Sequence, residues 1–328
     1  MKKVSKFLSI IVTLVIVMTF FAGCSSGSGP AANSSDKGDV KAPAEYIIGF
    51  SNVNDIYPYC IKFRDYLVAG AEKEGFKVIV ADAKGDSAVQ NGQVDNFLVQ
   101  NAKIITAISV DLDGSVPAAE AAKKADVPYI SFLTSVRNEG GYDKYIYIGS
   151  QNHDAGLLQG EYLAKVLPKD AKILYLTGQP NDTQYIDRKQ GLIDGLKSRA
   201  DVKIVAEQNS NNSKDLGLSI TEDWMQANDK IDCIVGQNDD SILGAIEALK
   251  SANRLNGVIT VGLDGSVDAL ASIEKGELSM SVLQDAKGQA EAAVNVFKQI
   301  RDGTDPKTIK DVFVPFQTIT KDNVAKFK

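Results

Sequence analysis

The chain is expected to fold as an α/β protein of two doubly wound parallel-sheet lobes joined by a three-strand hinge. Three observations lead there. From Tyr46 onward, short apolar runs rich in β-branched residues alternate with amphipathic segments of about ten residues or more, the pattern of βαβ units whose sheet is covered on both faces. The alternation halts after Tyr145 to Ile148 and restarts at His153. The two halves also resemble each other. Lys103 to Asp111 lies over Lys230 to Asn238, and each run precedes a helix carrying Ala-Ala-Glu-Ala-Ala or Ala-Ile-Glu-Ala-Leu, an internal repeat at domain scale.

Taken in order, Tyr46 to Phe50 reads as a strand, Tyr59 to Glu74 as a helix, Lys77 to Ala81 as a strand and Ala88 to Gln100 as a helix. Ile104 to Ser109, Val116 to Ala125 and Pro128 to Phe132 continue as strand, helix and strand, and Tyr145 to Ile148 ends the first lobe. The second begins with the helix His153 to Leu167, then Lys172 to Thr177, Gln184 to Leu196, Val202 to Glu207 and Leu216 to Met225. In Lys230 to Lys250, Ile231 to Val235 is a buried strand, Gly236-Gln237-Asn238-Asp239-Asp240 breaks it, and Ile242, Ala245, Ile246 and Leu249 return at helical spacing. Val258 to Leu263 followed by the helix Val267 to Ile273 repeats the unit, so Asn238 and Asp264 should project from neighbouring strand ends. Leu278 to Leu283 is a last buried strand, Ala286 to Arg301 a long helix, and Val312 to Ile319 one extended segment. The chain then crosses between lobes near Ser150, Gln284 and Val314, a hinge that bends more readily than it twists. The lobes would comprise 45–150 plus 285–313 and 151–284 plus 314–328.

The first 44 residues read differently. Lys2, Lys3 and Lys6 precede an apolar run from Phe7 to Phe21 and then Ala22-Gly23-Cys24, the charged, apolar and small-residue regions of an export signal over 1–23. The tetrad Phe21-Ala22-Gly23-Cys24 resembles a bacterial lipobox, with Phe21 in place of the usual aliphatic residue. That resemblance implies lipid on Cys24, and residues 24–44, rich in Ser, Gly, Ala and Asp, would form a flexible tether. Losing 1–23 removes three lysines and no acids from a chain of net charge −6. The acidic remainder, with no basic cluster, argues against nucleic acid as a partner. Cys60 and Cys233 fall in different lobes, one on a helix and one on a strand, and read as buried apolar residues rather than a disulfide.

Chemistry-bearing residues are few. Asn238, Asp239, Asp240 and Asp264 could pair carboxylates for general acid and base work, or Asp239 or Asp240 could simply cap the following helix. His153 is the only histidine, and Gln151-Asn152-His153-Asp154 suits a helix start at the surface. Phosphate-loop, dinucleotide, nucleophile-elbow, zinc and Cys-x-x-Cys motifs do not occur. Asp111-Leu112-Asp113-Gly114 lacks the spacing and closing Glu of a calcium loop, so no metal and no cofactor is expected. Asn54-Asp55-Ile56-Tyr57-Pro58-Tyr59 puts an acid, an amide and aromatic rings on one loop at a strand end, either at a cleft edge or as an ordinary turn. Arg188 follows Gln179-Pro180-Asn181-Asp182-Thr183-Gln184, either as a clamp for two oxygens or as a surface ion pair with Asp182 or Asp187. Gln284 could be a polar hinge residue.

With these residues in place, the chain from Tyr46 to its end resembles the type I periplasmic binding proteins, close to the galactose/glucose-binding and ribose-binding members. The segments carrying the resemblance are Gly178-Gln179-Pro180 through Arg188, Gln237-Asn238-Asp239, Val261-Gly262-Leu263-Asp264-Gly265, Ser281-Val282-Leu283-Gln284-Asp285, and Tyr142 to Tyr145 with Gly149. The resemblance implies that Arg188, Asn238, Asp264 and Gln284 hydrogen-bond sugar hydroxyls. It places Asp182 and Gln184 among further polar ligands, and Asp55 with Tyr57 or Tyr59 at an acid and a stacking ring. Leu133 stands where these families carry Asn or Asp, Asn212 where an aromatic covers one sugar face, and the galactose type's calcium loop is absent. The resemblance also implies a lipid-anchored, monomeric extracytoplasmic carrier, not an enzyme, that delivers a monosaccharide to an ABC permease at the cell membrane. The alternative is a sugar-sensing lipoprotein that presents ligand to a membrane receptor or histidine kinase. A hydrolase built on Asp239 and Asp264 is disfavoured because an Arg clamp beside strand-end acids suits binding. Repressors of the same fold carry a DNA-binding helix pair where this chain has its export signal.

Overall fold

The computed structural model describes residues 45–138, 141–179 and 183–328. The export signal, Cys24, the tether and Asp182 lie outside the described residues. Among the described residues, no helix is long and apolar enough to cross a membrane.

Two six-stranded sheets form the two α/β lobes. In the first, β1 (Tyr46–Asn52), β2 (Phe76–Asp82), β3 (Ile104–Ala107), β4 (Tyr129–Phe132) and β5 (Tyr145–Gly149) are joined by α1 (Pro58–Lys73), α2 (Ser87–Val99) and α3 (Val116–Lys124). The second uses α4 (Asn152–Val166), β6 (Lys172–Thr177), α5 (Thr183–Gly195), β7 (Lys203–Asn209), α6 (Lys214–Ala227), β8 (Cys233–Gly236), α7 (Asp239–Ser251), β9 (Ile259–Asp264), α8 (Val267–Lys275) and β10 (Met280–Leu283). The long α9 (Ala286–Arg301) returns to the first lobe. Its Ala290, Ala293, Val294 and Phe297 pack with Phe50, Phe63 and Phe132.

The expected segment from Val312 to Ile319 is instead two strands. β11 (Val312–Phe313) runs parallel to β5 in the first sheet, and β12 (Gln317–Thr320) runs antiparallel to β10 in the second. Pro315 has no N–H to donate to a ladder, and Phe316 turns into the core of the second lobe. The chain passes between sheets here, and β12 gives an otherwise parallel sheet one antiparallel edge.

Strand order is β11-β5-β4-β3-β1-β2 in one sheet and β12-β10-β9-β8-β6-β7 in the other. The repeated segments thus become β3 and β8, which hold the same place in their sheets. Both sheets are covered on both faces, which is why their central strands read as continuous apolar runs. The order reverses beside β1 and β3 in one lobe and beside β6 and β8 in the other, where open α/β sheets leave a crevice at the carboxyl ends. The chain passes from sheet to sheet after β5, after β10 and between β11 and β12.

Candidate functional site

α4 and α5 touch backbone to backbone. A Cβ on Gly156 would overlap the Arg188 carbonyl, and one on Gly191 the His153 carbonyl. This approach holds Arg188, only 4% exposed, beneath the ends of the second sheet. Its Nε donates to Asn152 Oδ1, one terminal nitrogen to the Gln237 carbonyl and the other to Gln284 Oε1, each at 3.1 Å. Arginine has five N–H donors, so two remain, one on each terminal nitrogen. Among the described residues, no carboxylate lies within salt-bridge distance of it, and the alternative ion pair with Asp187 does not form.

Asn238 lies two residues past the end of β8 and caps α7, its Oδ1 accepting from the Ser241 N–H at 3.2 Å. The cap was expected on Asp239 or Asp240. Both belong instead to the first turn, where negative charge suits the helix dipole. Asn238 Nδ2 donates to the Asn212 carbonyl at 3.3 Å, with Asn212 held in the left-handed region at φ 54°. One N–H of the Asn238 amide is left.

Asp239 is 1% exposed and accepts from Ser281 Oγ at 2.7 Å and the Ser266 N–H at 2.8 Å. A Cβ on Gly262 would overlap its carboxylate, so glycine there makes room for the acid. Burial pushes its pKa up to about 6, with the two serines pulling it back. It ties β10 and the turn after β9 to α7 and is no free acid or base.

Asp264 ends β9 at φ 132°, in backbone territory that costs strain for a residue with a side chain. Its carbonyl accepts from the Gln284 N–H at 3.2 Å. Burial, and then the Asp239 carboxylate, hold its carboxyl well above the usual range, while Arg188 pulls the other way. Arg188, Asn238, Asp264 and Gln284 thus gather at one set of strand ends.

On the first lobe, Tyr59 faces this group. Burial and then the Asp264 charge raise its phenol pKa, and Arg188 opposes them. Its hydroxyl donates to Gln289 Oε1 at 2.9 Å. Tyr57 occupies the cap position of α1 with its ring against the first-lobe core. Asp55 accepts from Asn52 Nδ2 at 2.5 Å and pairs with Arg64 at 2.8 Å, and none of these bonds reaches the Arg188 group. Gln184 does cross the gap, donating from Nε2 to Thr134 Oγ1 at 2.7 Å.

Thr134 and Tyr147 are absent from the sequence-based set of site residues. Leu133, at φ 58°, makes a tight turn after β4 that sets Thr134 toward the other lobe, and Tyr147 donates to the Leu133 carbonyl at 2.9 Å. The end of β4 was the available signal, since strand ends line the crevice. His153 does not cap α4. It lies 2.8 Å from Asp194 of α5. Asp111 accepts from the Asp113 and Gly114 N–H groups, and Asp113 pairs with Arg137. Among the described residues, no His, Cys, Asp and Glu cluster is arranged to hold a metal. Cys60 and Cys233 are buried and are not joined in a disulfide. A surface groove of about 700 Å³ between α5 and β7 holds none of the predicted site residues.

Residues 48–305 match the family model described as a periplasmic binding protein domain. The chain is 28% identical over 316 residues to the ribose import binding protein of Bacillus subtilis, covering 96% of this chain and 99% of that one. It is 32% identical over 244 residues to a D-apiose import binding protein of Actinobacillus succinogenes, covering 74% and 78%. Among solved structures, an ABC transporter solute binding protein of Bacillus halodurans with bound myo-inositol superposes with a TM-score of 0.80 at 29% identity, covering 86% of this chain and 97% of that one.

The buried Asp239 makes stability depend on pH. Its folded-state pKa, about 6, lies above the unfolded value of 3.8, so the folded chain binds the extra proton and loses stability as pH rises through that window. Urea unfolding from pH 4 to pH 7 should show wild type losing on the order of 2–3 kcal/mol relative to Asp239→Asn. Parallel pH profiles for the two proteins would contradict this.

Proposed function

This chain belongs to the periplasmic binding protein domain family, and from that membership we propose that it captures a monosaccharide or a polyol of similar size between its lobes and delivers it to an ABC importer. Members of the family are solute-binding proteins, and an extracytoplasmic location goes with membership. The observation that supports a polyhydroxylated ligand is the unspent hydrogen-bonding capacity at the strand ends. Two N–H groups of Arg188, one of Asn238 and the amide nitrogen of Gln284 can donate, and the Asp264 carboxyl can accept. A hydroxyl group both donates and accepts, so neighbouring hydroxyls on one carbon frame satisfy Asp264 and its donor neighbours together. Such a frame also offers C–H surface, against which the ring of Tyr57 or Tyr59 can pack.

In this reading the lobes are 45–150 plus 285–313 and 151–284 plus 314–328, moving about the three passages. A ligand that touches Arg188 and Asp264 on one side and Tyr59 on the other binds the closed arrangement better than the open one, and that difference alone drives closure. Asp55, Gln184 and Asn212 would contribute from the rim of this proposed site. The permease would then engage the closed form. Cys24 would carry the lipid that keeps the protein at the outer face of the membrane.

Calorimetric titration with D-ribose, D-galactose, D-glucose, D-apiose, xylitol and myo-inositol tests the ligand. At least one should bind, and Arg188→Met, Asp264→Asn and Gln284→Leu should each weaken it, the first by about a hundredfold or more. Failure of a folded wild-type protein to bind any of them would remove the sugar reading. Cys24→Ser should shift the protein from the membrane fraction to the medium, and unchanged membrane retention would remove the lipid anchor.

A further inference from the structure

Gln289 lies on α9, five residues past Gln284, and is fully buried. A buried amide is tolerated only when both of its polar ends are met, and here each is met by a different part of the molecule. Its Oε1 accepts from the Tyr59 hydroxyl at 2.9 Å, and its Nε2 donates to Ser150 Oγ at 2.8 Å. The Ser150 hydroxyl donates in turn to the Val314 carbonyl at 2.5 Å, and the Val314 N–H returns to the Gly149 carbonyl at 2.7 Å. From Tyr59 to Val314, every side-chain donor points the same way, so each bond polarises the next.

The places joined are not arbitrary. Ser150 stands where the chain first leaves the first sheet, Val314 where it passes over for the last time, and α9 opens directly from the remaining passage at Gln284 and Asp285. Tyr59, at the head of the series, is the first-lobe group whose surroundings include the charges of Asp264 and Arg188 on the second lobe. Packing alone does not account for the choice of residue at 289. A leucine or methionine would fill similar volume without an amide to desolvate.

The geometry points to Gln289 as a positioning residue that transmits the placement of Tyr59 to the passages at Ser150 and Val314, and so sets how the two lobes are held. The inference rests on the carrier reading only for its purpose. The bonds themselves can be tested on the ligand-free protein, so failure of a sugar titration and failure of this inference appear in different experiments.

Hydrogen–deuterium exchange followed by mass spectrometry reads it directly. Tyr59→Phe removes one hydroxyl that bonds to neither Ser150 nor Val314. It should nevertheless speed exchange in segments 149–151 and 312–316 roughly three- to tenfold, with β3 and β8 unchanged. Gln289→Leu should give the same pattern, and the double variant should exchange no faster than Gln289→Leu alone. Faster exchange confined to the neighbourhood of residue 59, an equal rise through every strand, or additive effects in the double variant would each overturn the assignment. If Gln289→Leu does not fold, Tyr59→Phe alone decides.

Discussion

The structure depends on a guanidinium buried, among the described residues, without a carboxylate in salt-bridge distance. Taking a charge out of water costs several kcal/mol unless it is met, and among the described residues Arg188 is met by neutral oxygens from Asn152, Gln237 and Gln284. Those three acceptors come from α4, the end of β8 and the end of β10. Holding them around one side chain fixes the second lobe's strand ends relative to one another. The close approach of α4 and α5 follows from the same requirement, since glycines at 156 and 191 let the backbones meet where Arg188 must sit.

A second charge is built in just as carefully. Asp239 is spent on Ser266 and Ser281, locking the turn from which Asp264 emerges. Asp264 then holds a carboxyl that burial and a neighbouring acid disfavour as an anion, with Arg188 acting against them. The Arg188 guanidinium and this carboxyl thus lie near one another without closing into a salt bridge. The first lobe contributes a different character, one of rings and hydroxyls: Tyr59, Tyr147 and Thr134, with Leu133 turned into the core. The asymmetry follows the halves of the repeat. The strand-end segment after β8 carries the Asn238 side chain into the group around Arg188, whereas its counterpart after β3 spends Asp111 on its own loop.

Most of the fold was legible because apolar periodicity and chain alternation are local signals. Lys172 to Thr177 and Ala286 to Arg301 matched to the residue, and the repeat located β3 and β8 in equivalent places. The features that were not legible are tertiary. Nothing within Val312 to Ile319 shows that its ends pair with different sheets, because the pairing partners lie far away in sequence. The cap on α7 went to Asn238 because β9 and β10 draw Asp239 inward, a competition that a helix-start pattern cannot display. Gathering of Arg188, Asn238, Asp264 and Gln284 was expected from strand ends and from family resemblance together. Thr134 and Tyr147 are not legible in the sequence because a left-handed turn at a leucine has no sequence signature of its own.

In the proposed function, the unspent donors of Arg188 and the acceptor of Asp264 meet one polar molecule between the lobes. A crystal structure of the protein with whatever small molecule copurifies with it tests this most directly. That molecule's oxygens should lie within hydrogen-bonding distance of Arg188, Asp264 and Gln284, with its carbon face against Tyr57 or Tyr59. A molecule bound instead in the groove between α5 and β7, with Arg188 still holding only Asn152, Gln237 and Gln284, would contradict it.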